Sequence, residues 1–209
     1  MTCMTISSFK ASMLWPLHRL VSIPVIYDFS QKLAGGNISQ QILRQELSCL
    51  PETGSALDVG GGTGRLRPFL PPRWCYTCLD TDPKKLKGFK KNYEKDQSIE
   101  ASGCHMPVPD QSYDICLMKS VAHHLNTDDF AASLMEIKRV LRPGGLLILL
   151  DAIWCPSNVR GRILWCLDRG NFPRTKEALT NHLTNNFLME RKRFWRVNHN
   201  YALFWCRKI

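Results

Sequence analysis

One stretch, Ala56-Leu57-Asp58-Val59-Gly60-Gly61-Gly62-Thr63-Gly64, restricts what this chain can fold into more than any other. Ala56 to Val59 read as a buried strand, and the glycines as a tight turn into a helix expected over Arg65 to Leu70. Glycine suits such a turn because the backbone must take φ > 0 and approach a ligand with no Cβ in the way. A strand, a glycine-rich turn and a helix N-terminus together make a nucleotide-type binding site. The spacing Asp58-x-Gly60-x-Gly62-x-Gly64 differs from the dinucleotide fingerprint G-x-G-x-x-G, which the sequence lacks.

The following segments fall into step with that opening. Tyr76-Thr77-Cys78-Leu79-Asp80 reads as a second strand ending in a carboxylate, where a Rossmann-like sheet places an acid on ribose hydroxyls. Thr81-Asp82-Pro83 then starts a lysine-rich helix, with Pro83 suited to its first turn. Met106-Pro107-Val108-Pro109-Asp110-Gln111-Ser112-Tyr113-Asp114 is a proline-punctuated loop leading into the strand Asp114 to Met118, and Ala122-His123-His124-Leu125 comes after it. Glu136 to Gly145 closes a helix with a Pro-Gly-Gly turn, directly before the apolar strand Leu146 to Leu150.

These five motifs, in register over residues 56–151, resemble those of the class I S-adenosylmethionine (SAM)-dependent methyltransferases. The 106–114 loop is similar to that family's "LPFPDGSFD", and residues 122–125 to the "LHHL" of its small-molecule branch. The resemblance implies SAM as cofactor, bound by Asp58, Gly60, Gly61, Gly62 and Gly64 on the first turn. Asp80 and Thr81 follow the second strand, Ser102, Gly103 and Cys104 the third, and Lys119 the fourth. One departure stands out. The family's adenine-binding aspartate is replaced by Ser102, which lacks the charge assistance of a carboxylate, so adenine recognition is expected to lean on backbone near Gly103 to His105. His123 and His124 lie where acceptor meets cofactor. A base role for His124, less so for His123, stands beside a packing role in the turn.

The implied fold is α/β: a Rossmann-like, seven-stranded, mostly parallel sheet with helices on both faces and an antiparallel C-terminal edge hairpin (Met189 to Val197 and Tyr201 to Arg207). Residues 1–50 read as an N-terminal helical cap and 51–209 as the methyltransferase domain, with a substrate-side insert at 152–174. Tyr27, Trp154 and Arg162 are candidates for contact with substrate, a small or lipid-like molecule methylated on oxygen or carbon. RNA or protein methylation, and a noncatalytic SAM-fold scaffold, are the alternatives.

A net charge of +10 comes partly from the lysine-rich helix and partly from the C-terminal strands. No nucleic-acid module accompanies it, so a solvated basic surface is the favoured reading. Residues 13–29 are rich in apolar side chains. A cap helix packed on the sheet is favoured there over an interfacial segment giving peripheral membrane contact. The sequence has no run of about 18 uncharged apolar residues. Nine cysteines without a regular framework favour a reducing cytoplasm. Cys75 and Cys78 form a CxxC pair within a strand, where residues three apart face opposite ways, so no metal site is expected.

Overall fold

Residues 115–118 and 146–150 are continuous apolar runs, as expected for the centre of a sheet covered on both faces. The structure, a computed structural model, describes residues 36–168 and 170–209. Tyr27 and the apolar segment 13–29 lie outside them. The strands are β1 (Ser55–Val59), β2 (Cys75–Asp80), β3 (Gln97–Glu100), β4 (Tyr113–Lys119), β5 (Leu141–Ile153), β6 (Leu188–Arg196) and β7 (Asn200–Arg207), in the order β3-β2-β1-β4-β5-β7-β6. The pairs among the first five are parallel, and β7 runs antiparallel to both β5 and β6. This is the expected fold, with the expected edge hairpin. β5 starts irregularly at Leu141 and pairs regularly with β4 only from Ile115↔Leu146.

Alternation along each strand divides the core in two. Leu57, Val59, Met118, Leu147, Leu149 and Phe204 point to one face, against α3 (Thr127–Val140) and α5 (Lys176–Thr184). Ala56, Ile115, Leu117, Ile148 and Leu203 point to the other, against α1 (Gly36–Leu47) and α2 (Pro83–Asn92). From α1 the residues Ile42, Leu43 and Leu47 are buried in that second cluster, so the described part of the expected cap packs on the sheet.

Local chemistry fixes the helix ends. The Asp82 carboxylate accepts from the Lys84 and Lys85 N–H groups at 2.9 and 3.4 Å, and Pro83 occupies the first turn of α2. α2 buries only Leu86 and Phe89, while Lys84, Lys87, Lys90 and Lys91 are exposed. The lysine-rich helix is therefore a solvated face. Asn126 caps α3, whose acidic first turn and basic last turn complement the helix dipole.

One expectation fails. In place of a helix over Arg65 to Leu70 there is a single 3₁₀ turn, Arg67–Phe69. Pro68 has no N–H and Pro71-Pro72 block continuation. The Arg67 guanidinium instead meets Asp96 at 2.6 Å and the Pro72 carbonyl at 3.2 Å. The glycine turn thus lacks the helix dipole that usually follows it, and its backbone N–H groups and Asp80 carry the polar chemistry.

Candidate active site

Sheet order reverses between β1 and β4, and ligands of open α/β sheets bind beyond the carboxyl ends of the strands at such a switch point. The glycine turn lies there. Gly60, Gly62 and Gly64 take φ of 71°, 59° and 76°, the left-handed region in which a side chain is strained. At Gly60 a Cβ would also stand 2.5 Å from Val121 Cγ2, which shows how closely the turn abuts the loop after β4.

Asp58 lies beneath this turn rather than in it. It is buried, its carboxylate accepts from the Tyr76 hydroxyl, and a Cβ on Gly61 would meet its Oδ2 at 2.7 Å. Burial pushes its pKa up to about 6, with Asp80 adding to the rise, while Tyr76 and Lys119 oppose it. A folded-state pKa above the unfolded value of 3.8 means stability complete below about pH 4 and lost as pH rises through about 6. Asp58→Asn, which cannot ionise, is expected to gain on the wild type across that window by up to ~3 kcal/mol. Urea midpoints measured between pH 4 and 8 check this; a difference that is flat with pH would refute it.

Asp80, at the end of β2, faces the turn. Its Oδ2 accepts from the Gly62 N–H and its Oδ1 from the Asp82 N–H, both at 2.9 Å, and Lys85 Nζ stands 3.9 Å from Oδ1. A carboxylate has about four acceptor sites, so two remain for ligand hydroxyls. Thr81 is exposed beside it. Lys119, closing β4, is held below its usual range by burial and by Arg65, against the pull of Asp58 and Asp151.

The loop after β3 differs from expectation in its donors. Ser102 Oγ accepts from the Cys104 N–H at 3.1 Å, and the Ser102 carbonyl from the His105 N–H at 3.1 Å. Of the N–H groups from Gly103 to His105, those of Cys104 and His105 are thus occupied inside the turn, and the Ser102 hydroxyl keeps a donor and one further acceptor site. Gly103 packs on the end of β1, where a Cβ would approach Val59 to 3.0 Å. Cys104 Sγ lies 3.3 Å from the Asp129 carbonyl. The next loop is pinned from α3. Glu136 accepts from the Met106 N–H at 2.7 Å, and Arg139 donates to the carbonyls of Met106 and Val108 and to Asp110. Hydrogen bonding from Arg139 holds the Glu136 carboxyl down to about 2.

His123 and His124 form a 3₁₀ turn after β4 (Ala122–His124), but their surroundings differ. His123 is buried, with Nδ1 2.5 Å from Asp151 Oδ1 and Nε2 3.6 Å from Asp168 Oδ1. Burial alone would lower its pKa; Asp151 outweighs that and the net shift is upward. His124 is exposed, its ring 4.2 Å from that of His123. Of the substrate candidates, Trp154 is half-buried and tilted on Trp165 at 6.5 Å, and Trp165 meets His123 edge-on at 5.5 Å. Arg162 is exposed on α4 (Val159–Leu167).

Sequence reasoning missed the residues that hold this turn. Asp151 lies one residue past the last β4–β5 pair, much as Asp80 ends β2, and a carboxylate there is a signal in the sequence. Arg174 had none. It is buried and donates to the carbonyls of Ala122, Leu125 and Asn126 at 2.5, 2.8 and 2.9 Å, with its guanidinium 4.6 Å from the Phe130 ring centre. Arg174→Ala would remove three charge-assisted hydrogen bonds, although the Ala122 and Asn126 carbonyls keep the Leu125 and Phe130 N–H groups, and is expected to cost roughly 2–4 kcal/mol, measured by denaturant unfolding.

Comparison with known proteins fits this geometry. Residues 57–149 match the family model described as a methyltransferase domain. Over that stretch, somewhat under half of its length, the chain is similar to a methyltransferase domain. An uncharacterized methyltransferase of Mycobacterium sp. (strain JLS) is 34% identical over 101 residues, covering 48% of this chain and 39% of that protein. The chain thus matches about two-fifths of the length of its curated relatives. Among solved structures, a SAM-dependent methyltransferase from Methanosarcina mazei shares the fold with a TM-score of 0.67 and 16% identity, over 77% of this chain and 94% of that one. A SAM-dependent methyltransferase from Aquifex aeolicus gives 0.62 and 16%, over 81% and 89%. The neighbours share the fold, and the methyltransferase-domain match makes SAM the cofactor against which to test the site. The residues fit it: a left-handed glycine cradle leaves room against the backbone, and Asp80 retains acceptor sites for ribose hydroxyls.

Proposed function

We propose that this protein transfers a methyl group from SAM to oxygen or carbon of a small, apolar acceptor. The observation that carries the reading is the cradle of Gly60, Gly62 and Gly64, faced by Asp80 and abutting through Val121 the turn that bears His124. The bound cofactor would supply an electrophilic methyl on sulfonium, so the protein's work is alignment and proton handling. Asp80 would hold the ribose hydroxyls, the glycine turn the methionine portion, and Ser102 with Gly103 the adenine side. His124, exposed and next to the cradle, is the candidate to take a proton from a hydroxyl acceptor, while His123 is held between carboxylates as its support.

An apolar acceptor is supported by the segment after β5. Val159 and Ile163 of α4 are 63% and 60% exposed and Phe172 is 42% exposed, and the Phe172 N–H donates to the His123 carbonyl at 3.0 Å. We take residues 152–174 as the substrate-side insert, residues 1–50 as the cap and 51–209 as the methyltransferase domain. Peripheral membrane contact through residues 13–29 would suit a lipid-like acceptor; no described helix is long and apolar enough to cross a membrane.

RNA or protein substrates draw support only from charge, and the C-terminal part of that charge is elsewhere. Arg191 and Arg193 of β6 pair with Glu46 at 3.2 and 3.4 Å, and β6 lies three strands, about 14 Å, from β4. Basic side chains on an edge strand also guard against strand pairing. Incubation with methyl-labelled SAM and fractionated cell extract tests the choice. Label in the organic-soluble small-molecule fraction is expected; label confined to RNA or protein would overturn it.

A further inference from the structure

The buried histidine has two carboxylate neighbours, and only one of them is bonded to it. Nδ1 of His123 lies 2.5 Å from Asp151 Oδ1, and the other Asp151 oxygen accepts from the His123 backbone N–H at 3.2 Å. With a single ring proton on Nδ1, the Nε2 lone pair faces Asp168 Oδ1 at 3.6 Å, so two acceptors oppose each other unless a second proton or a metal cation lies between them. Asp168 is held in that position, because its Oδ1 accepts from the Gly170 N–H at 2.6 Å. Gly170 must be glycine, since any Cβ there would run into the His123 ring. A ring nitrogen of His124 completes the set: one ligand atom from each of His123, His124 and Asp168 lies within 4.8 Å of the other two.

We propose that His123, His124 and Asp168 bind a divalent transition-metal cation of the zinc class, with Asp151 orienting His123 from behind. A tetrahedral ion at the usual zinc–nitrogen and zinc–oxygen lengths sets its ligands about 3.4 Å apart, close to the spacing of Nε2 and Oδ1. A carboxylate on the far nitrogen of a metal-binding histidine is the common outer-shell arrangement, because it fixes the ring and presents the lone pair. Imidazole with carboxylate favours zinc, cobalt, iron or nickel over magnesium or calcium. The three ligands come from the turn after β4 and from the segment after α4, so sequence spacing gives no sign of them.

Three protein ligands leave a coordination position open on the side where His124 is exposed. Val121, two residues before His123, touches the glycine cradle, so an acceptor hydroxyl or thiol bound to the ion would stand near the transferred methyl. With His124 engaged as a ligand, the ion rather than that ring would lower the acceptor's pKa and present it as the anion, its proton passing to solvent. That role rests on the methyl-transfer reading; metal binding does not.

The test uses the full chain stripped with chelator, then titrated with Co²⁺ followed by Zn²⁺. One equivalent of Co²⁺ should bind, with the visible bands of a four- or five-coordinate site and no thiolate charge-transfer band, and Zn²⁺ should displace it. His124→Gln, at an exposed position, and Asp168→Asn, at a partly exposed one, should each weaken Zn²⁺ binding about 100-fold or more. Asp151→Asn should weaken it about 10- to 100-fold. Circular dichroism should match the wild type, and Zn²⁺ should raise the Tm of the wild type but not of His124→Gln. Failure of the wild type to take up a stoichiometric ion, as when a proton alone bridges His123 and Asp168, would overturn the proposal. So would uptake unchanged in both ligand variants, or a thiolate band, which would place the ion on cysteines. SAM titration of the same metal-free samples separates failure of this site from failure of the methyl-transfer reading.

Discussion

Gly64→Ala is expected to unfold the protein or nearly so. Gly64 holds φ of +76°, which costs an L-residue about 1–2 kcal/mol. The new methyl would press on the ring of Phe89, fully buried in the core face shared with Tyr76, and on Tyr93 at 3.1 Å. Overpacking of that kind adds about 1–3 kcal/mol. Together these come to about 2–5 kcal/mol, which reaches the whole stability of a domain at the low end of the usual range. Because the Gly64 N–H also donates to the Gly61 carbonyl at 2.9 Å, relaxing the clash would deform the cradle itself. Denaturant unfolding measures the loss, and a variant within ~1 kcal/mol of wild type would show that the turn is looser than its geometry indicates.

Asp80→Ala is expected to weaken SAM binding by about two to three orders of magnitude while leaving a folded protein. Hydrogen bonds from ligand hydroxyls to a carboxylate contribute about 1.5–3 kcal/mol each, and a ribose presents two. The substitution also releases the Gly62 and Asp82 N–H groups, at the mouth of the site where water can reach them. Asp80→Asn should fall between, since an amide keeps one acceptor oxygen and adds a donor. Calorimetric titration of the three proteins reads the series. Equal affinities would remove Asp80 from the site.

The strands were legible because β4 and β5 are covered on both faces and so carry unbroken apolar runs. The glycine turn and Asp80 were legible because backbone geometry and charge demand particular residues at fixed offsets from a strand end. The helix over Arg65 to Leu70 was overdrawn because the pattern of glycine turn then helix outweighed Pro68, Pro71 and Pro72, which the chain obeys. Nothing in the sequence indicates that the Ser102 hydroxyl oxygen also serves its own turn through the Cys104 N–H. The partners of His123 were the hardest to see. Asp151 and Asp168 lie 28 and 45 residues downstream of it, and Arg174 closes the same turn from 52 residues beyond Ala122. No local pattern connects such residues; only sheet order and the return of the chain after α4 bring them together.

The central claim, that SAM lies on the glycine turn at the β1–β4 switch, is open to hydrogen exchange measured with and without saturating SAM. Protection is expected at Gly60 to Gly64, Asp80 to Asp82 and Ser102 to His105, with strands β6 and β7 unchanged. A folded protein that gains no protection in the glycine turn, or gains it only along β6, would contradict it.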